Sequence, residues 1–205
     1  MQNLGSKPEG ILGRIAGRLM NLIHGGFYKS VLKKELGDAQ KLKQSIYVLD
    51  VGCGGGRTIG ILSAMIKNGK IYGIDHSKEM VRLSQRLNAK NIKIGKVEIG
   101  WGDVANLPHK SSQFNLVTAF DTLNYWDDIE KSLMEIFRVS QPGGKFLIIN
   151  GYPKEGTKWW DFVKFKSENE YKDILEKHRF GNVKTEIVKN RIIVMGEKPV
   201  GSFAS

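Results

Sequence analysis

A single cysteine, Cys53, stands in a chain of 205 residues, so internal disulfides and cysteine-rich metal centres are excluded and no metal site is expected. No apolar run approaches the roughly 18 residues that a membrane-spanning helix requires. No secretory leader pattern opens the chain, and a cytoplasmic protein is expected. Internal repeats and low-complexity segments are missing. Blocks of like charge are missing too, although 32 Lys and Arg against 21 Asp and Glu give a net charge of +11. Residues 1–45 carry eight basic and three acidic side chains, residues 46–150 thirteen and ten, and residues 151–205 eleven and eight. Charge spread this evenly is a solvated basic surface before it is a nucleic-acid footprint, so nucleic acid stays open as a partner without being favoured.

What the chain does have is ordinary globular composition, 40% hydrophobic and 26% charged, and one concentrated stretch, Val48 to Thr58, reading VLDVGCGGGRT. An apolar segment runs through Asp50 into Gly52, Gly54, Gly55 and Gly56, and a helical pattern begins near Thr58. Strand, tight turn and helix start is the form in which α/β proteins bind nucleotides. Glycines permit positive φ and let a bulky ligand approach the main chain. Asp50, at the strand end, is an acceptor for a ligand ammonium or hydroxyl. The dinucleotide pattern GxGxxG counted from Gly52 places Arg57 where its third glycine belongs, and no Gly-Lys-Ser/Thr follows as in a P-loop. The pattern present is DxGxGxG. Cys53 within it reads as a small residue beside a ligand rather than as a nucleophile.

Before this stretch, Ile11, Ile15, Leu19, Leu22 and Ile23 recur at helical spacing with Arg14 and Arg18 between them, and His24-Gly25-Gly26 reads as a stop. A second helical stretch, Val31 to Leu42, follows Phe27 and Tyr28. Residues 1–45 are thus expected to form a helical cap over the substrate side of a core spanning 46–205. His24 and Tyr28 would lie near the chemistry, or serve only in packing.

After it, Ile59 to Ile66 reads as helix, and Lys70 to Asp75 as a strand that ends in an acid suited to accept both hydroxyls of a ribose. Ser77 caps a helix through Met80, Val81, Leu83 and Leu87. Lys90 to Ile99 reads as a loop and third strand. Asp103 after it can meet the exocyclic amine of an adenine, with Val104 against the ring. Phe114 to Phe120 is a fourth strand, apolar as one covered on both faces should be, and it runs into Asp121, Thr122, Asn124, Tyr125 and Trp126. Asp128 starts a helix, Pro142-Gly143-Gly144 is a turn, and Lys145 to Ile149 is a fifth strand. Residues 150–166 are irregular, with Tyr152, Trp159 and Trp160 as lid or core. A helix from Ser167 to His178 and a hairpin of Asn182 to Val188 with Arg191 to Glu197 close the chain. Alternating strands and helices imply an α/β fold with a mostly parallel sheet.

Taken together, VLDVGCGGG, YGIDHS, GDVANLP and FRVSQPGGKFLI resemble the class I S-adenosylmethionine-dependent methyltransferases, particularly the methyltransferase type 11 group and the quinone-biosynthesis methyltransferases. The resemblance implies a Rossmann-like sheet of seven strands in the order 3-2-1-4-5-7-6, strand 7 antiparallel, with helices on both faces. It implies S-adenosyl-L-methionine as cofactor, with Asp50, Gly52, Cys53 and Gly54 around its methionine part and Asp75 on its ribose. His76 and Met80 would lie beside the adenosine, Asp103 and Val104 at the adenine, and Phe120 with Asp121 would close the site.

The expected activity is methyl transfer to a small-molecule acceptor by in-line displacement. No base is obligatory, and His24, Tyr28, Asp121 and Tyr125 are the candidates by position. An Asn/Asp-Pro-Pro-Tyr/Phe sequence after the fourth strand, a cysteine there, and an appended RNA-binding domain are all absent, which favours a small acceptor. Methylation of RNA or protein, and cofactor binding without turnover, are the alternatives.

Overall fold

The computed structural model describes residues 26–37 and 45–201. The expected helix at 11–23, His24 and most of the expected helical cap lie outside the described residues. A helix, α1, covers residues 26–36, so Phe27 and Tyr28 are helical rather than part of a link before Val31. There follow β1 (Ile46–Val51), α2 (Arg57–Met65), β2 (Gly69–Asp75), α3 (Lys78–Leu87), α4 (Ala89–Lys93) and β3 (Val97–Trp101). The second half has β4 (Phe114–Phe120), α5 (Ile129–Val139), β5 (Ser140–Gly151), α6 (Glu168–Lys177), β6 (Gly181–Val188) and β7 (Arg191–Glu197). The seven strands form one sheet in the order β3-β2-β1-β4-β5-β7-β6, mostly parallel, with β7 antiparallel to its neighbours. Contacts divide the chain into two compact units, Met1–Asp103 and Val104–Ser205.

In the first unit the glycine turn connects β1 to α2, and the central strand carries apolar residues on both faces: Val48, Leu49 and Val51 have no exposed surface. β1 and β2 run parallel with Asp50 opposite Gly73, and β2 and β3 with Asp75 opposite Trp101. α3 begins where Ser77 Oγ accepts the Met80 N–H at 3.4 Å, with Glu79 in its first turn and Arg86 in its last, each sign matched to the helix dipole. Between α3 and β3 the chain forms α4 instead of the expected loop. Only the last part of the alternating Lys90 to Ile99 segment is strand, because Ile92 is half-buried and Ile94 is exposed at 72%, so the alternation there had no second face to pair with.

In the second unit β5 is longer than expected. Pro142-Gly143-Gly144 lies within it as an irregularity in the β4 pairing, with Gly143 at φ 75°. Gly144 could not carry a side chain, since a Cβ would stand 2.7 Å from Gln141 O and 2.8 Å from Phe114 O. α5 and α6 open on Asp128 and Ser167, which accept the Lys131 and Glu170 N–H groups at 2.9 and 3.2 Å. Glu170 in turn accepts the Lys166 N–H at 2.9 Å, a capping box displaced by one residue. Arg138 holds the segment before β4 against α5, donating to the Leu107 and His109 carbonyls while pairing with Glu135, which itself accepts the Leu107 N–H. The buried Lys198 ammonium donates to the Phe137 and Ser140 carbonyls, covering the C-terminal end of α5. β6 and β7 join through Lys189-Asn190 with Lys189 at φ 58°.

Gly56 shows why the glycine cluster extends past the strand end. It is the N-cap of α2 at φ 81°, and a Cβ would come within 2.2 Å of Ser84 Oγ and 2.9 Å of Ser84 Cα. Asn88 Nδ2 donates to the Gly56 carbonyl at 2.9 Å, so α3 packs directly on the turn. Gly54, at φ 51°, has nothing within 4 Å of the same added atom. Gly56→Ala is therefore expected to lose about 2–3 kcal/mol of stability from overpacking, with Gly54→Ala losing about 1 kcal/mol from its left-handed backbone alone. Urea unfolding of the two variants checks this, and equal midpoints would contradict it.

Candidate functional site

The turn after β1 is pinned to β2. Gly52 and Cys53 both donate their N–H to the Ile74 carbonyl, at 2.8 and 3.0 Å, and the Gly56 N–H returns to the Cys53 carbonyl at 3.0 Å. This geometry requires positive φ at Gly52, Gly54 and Gly56, 68°, 51° and 81°. Gly73 leaves room for it, since a Cβ there would meet Cys53 Sγ at 3.2 Å.

Asp75 closes the arrangement. Its Oδ2 accepts the Gly54 N–H and its Oδ1 the Ser77 N–H, both at 2.8 Å. The side chain is buried, and burial raises its pKa above the usual aspartate value, the two N–H groups and His76 opposing that rise. Each carboxylate oxygen with one donor bound keeps a second lone pair for a ligand hydroxyl. Asp50 is buried at 2% exposure, near enough for its charge to act on the Cys53 thiol. Burial first, then the charges of Asp75 and Asp50, push that thiol well above its ordinary value. It lies 3.9 Å from Ser84 Oγ and is an inert, space-filling group. His76 is exposed, with Nδ1 3.9 Å from Asp75 Oδ1, and Met80 is buried on α3.

Of the residues expected around a cofactor, the first unit thus gathers Asp50, Gly52, Cys53, Gly54, Asp75 and His76, with Met80 in the first turn of α3. The exposed Asp103 follows Gly102, whose N–H donates to the Asp75 carbonyl at 3.1 Å. Trp101 escaped the sequence reading. Its indole N–H donates to the His76 carbonyl at 2.8 Å and fixes the backbone beside the acid, but an aromatic residue at a strand end gives no local sign of such a contact. Tyr28 is buried on α1 at 7% exposure.

The second unit holds Val104, half-buried, and Phe120, buried at the end of β4. Asp121 adopts φ 53°, a strained conformation for a residue with a side chain. Its N–H donates to the Ile149 carbonyl at 2.6 Å, its Oδ1 accepts the Gly151 N–H at 2.8 Å, and Arg191 Nη1 reaches its Oδ2 at 2.9 Å. One carboxylate therefore ties the ends of β4 and β5 to the start of β7. Arg191, 70 residues away in the chain, could not have been paired with Asp121 from sequence. Tyr125 stands on a single 3₁₀ turn, Leu123–Tyr125, its phenol raised by burial and then by the Asp121 charge. Among the described residues no group of three or more His, Cys, Asp or Glu could hold a metal, and no helix is long and apolar enough to cross a membrane.

The model of the methyltransferase domain matches residues 42–193. The chain belongs to the methyltransferase-domain family. Its cofactor is S-adenosylmethionine, and its class is that of the S-adenosylmethionine-dependent methyltransferases. YrhH of Bacillus subtilis (strain 168) is 29% identical over 140 residues, 67% of this chain and 74% of YrhH. Demethylmenaquinone methyltransferase of Lactiplantibacillus plantarum is 29% identical over 133 residues, 64% of this chain and 56% of that enzyme. With several other curated relatives the match spans about half of the relative's length. A crystal structure of an Aquifex aeolicus S-adenosylmethionine-dependent methyltransferase shares the fold, with a TM-score of 0.70 at 22% identity, covering 90% of this chain and 98% of that one.

The glycine turn suits this cofactor, because Gly54 leaves open space where a Cβ would stand and a buried carboxylate lies beside it. Asp75→Ala is expected to weaken S-adenosylmethionine binding by about 1.5–3 kcal/mol, the range for hydrogen bonds to a charged group. It also leaves two backbone N–H groups without their acceptor, so the melting temperature falls as well. If Asp75 holds the ribose as expected, the ionised carboxylate is the form that accepts its hydroxyls, and affinity is expected to decline as pH is lowered through the raised pKa. Calorimetric titration across the acid range checks both, and an unchanged dissociation constant in Asp75→Ala would contradict the ribose assignment.

Proposed function

We propose that this chain transfers the methyl group of S-adenosylmethionine to a small-molecule acceptor by in-line displacement. The observation that carries the reading is the Asp75 carboxylate, buried and held by the Gly54 and Ser77 N–H groups beside a glycine turn with open space at Gly54. In this reading Asp50, Gly52, Cys53 and Gly54 bind the methionine part, Asp75 the ribose, and His76 and Met80 the adenosine. Asp103 and Val104 bind the adenine, and Phe120 and Asp121 close the site. When bound, S-adenosylmethionine supplies a methyl carbon on a sulfonium, a leaving group that departs as a neutral thioether without acid assistance. The protein has to orient the acceptor, exclude water and, where the nucleophile carries a proton, provide for its removal.

The geometry divides the candidates for that last task. Asp121 already accepts from Arg191 and Gly151, which suits it to positioning. Tyr125, with its raised pKa, is protonated at neutral pH and acts as a donor. His24 lies outside the described residues, and Tyr28 is buried. The relatives named demethylmenaquinone methyltransferases favour a small, ring-bearing acceptor. The single free cysteine, buried and unreactive, suits the reducing cytoplasm, where we place the reaction. The net charge of +11 keeps RNA or protein methylation as the second reading.

Transfer of labelled methyl from S-adenosylmethionine into a cell extract, with and without ribonuclease, tests the proposal. Label is expected in the low-molecular-weight fraction irrespective of ribonuclease. Label confined to macromolecules and lost with ribonuclease would replace the small acceptor with RNA, and absence of any label would favour a binding protein without turnover.

A further inference from the structure

Between β5 and α6 the chain makes no regular element, yet the segment 152–166 is firmly held. Tyr152 Oη donates to the Lys166 carbonyl at 2.5 Å, the Lys164 N–H to Asn124 Oδ1 at 3.1 Å, and Lys164 Nζ to the Trp126 carbonyl at 2.7 Å. Phe162 meets Tyr125 in a tilted contact with ring centroids 5.1 Å apart, and Tyr152 meets Trp160 edge to face at 5.7 Å. On this base the two large apolar side chains at the tip face solvent: Trp159 is 61% exposed and Phe162 45%. Lys158 Nζ lies 5.1 Å from the Trp159 ring. The segment holds four lysines, Lys154, Lys158, Lys164 and Lys166, against Glu155 and Asp161.

We infer that this tip docks the protein on an anionic lipid surface. Tryptophan favours the membrane interface, where its ring lies among headgroups and its polar edge stays wet, and phenylalanine adds apolar contact below it. Lys158 beside the Trp159 ring and the exposed Lys154 place positive charge at the level of lipid phosphates, while the Lys164 and Lys166 ammonium groups hold the Trp126 and Trp160 carbonyls. The net charge of +11, spread over the chain, adds a diffuse attraction to the same surface. A single-stranded nucleic acid would also use aromatic rings and cations, but it calls for a continuous basic groove with successive stacking platforms. Here the charge is dispersed, and Trp159 and Phe162 belong to a single segment of turns. The docking rests on residues of this segment alone and does not depend on the identity of the acceptor.

Flotation of the full chain with phosphatidylcholine vesicles, with and without phosphatidylglycerol, tests the inference. Wild-type protein is expected to float only with the anionic vesicles, with a blue shift of tryptophan fluorescence, and to be released by salt. Trp159→Ser with Phe162→Ser should abolish flotation. Lys158→Ala should weaken partitioning about fivefold, the effect of removing one cation near an anionic surface. Met134→Ser, which removes an apolar side chain of α5 as exposed as Trp159, should leave flotation unchanged. S-adenosylmethionine binding by each variant, measured in the same preparations, confirms that the fold is retained and separates failure of docking from failure of the methyltransferase reading. Wild-type protein that ignores anionic vesicles, or a doubly substituted tip that floats as well as wild type, would overturn the inference. So would binding of single-stranded RNA by the tip without binding of vesicles.

Discussion

The Asp75 carboxylate, accepting the Gly54 and Ser77 N–H groups at 2.8 Å each, is the contact on which the first unit's site depends. It joins the glycine turn after β1, the end of β2 and the entry to α3 in one bridge. Without it the turn would keep its link to the Ile74 carbonyl but lose the tie between Gly54 and the next strand. The same bridge explains why burial of a carboxylate is tolerated. Two charge-assisted hydrogen bonds offset part of the desolvation, and the remainder appears as the raised pKa. A group that is costly to bury and placed beside an open glycine turn is a common mark of a ligand site, where stability is traded for binding.

The second unit uses a carboxylate in a different way. Asp121 carries left-handed backbone strain and is neutralised by Arg191 while also accepting the Gly151 N–H. Such a charge is an anchor for three strand ends. Its influence on Tyr125 is electrostatic, holding the phenol in its protonated form. Methyl transfer from a sulfonium needs alignment more than acid or base chemistry, so rigid strand ends are the appropriate investment of structure.

Much of this was legible in sequence because it is local. The strand, glycine turn and helix around Val48 to Thr58, the acid at the end of β2 and the caps Ser77, Asp128 and Ser167 all depend on residues within a few positions of one another, and the structure has them as expected. The seven-stranded order followed from family resemblance rather than from any single segment. What escaped was either a weak pattern or a distant partner. Lys90 to Ile99 alternates like a strand, but its first half lies on the surface and folds as α4. Pro142-Gly143-Gly144 reads as a turn, yet Gly144 fits between two backbone segments and the strand runs through it. The pairing of Arg191 with Asp121 and of Trp101 with the His76 carbonyl spans 70 and 25 residues, beyond the reach of local patterns.

Calorimetric titration of the purified chain with S-adenosylmethionine and, separately, with NADH is the most direct test that the DxGxGxG turn and Asp75 form a methyl-donor site. Saturable binding of S-adenosylmethionine with none of NADH is the predicted result. Tight binding of NADH without S-adenosylmethionine would contradict it.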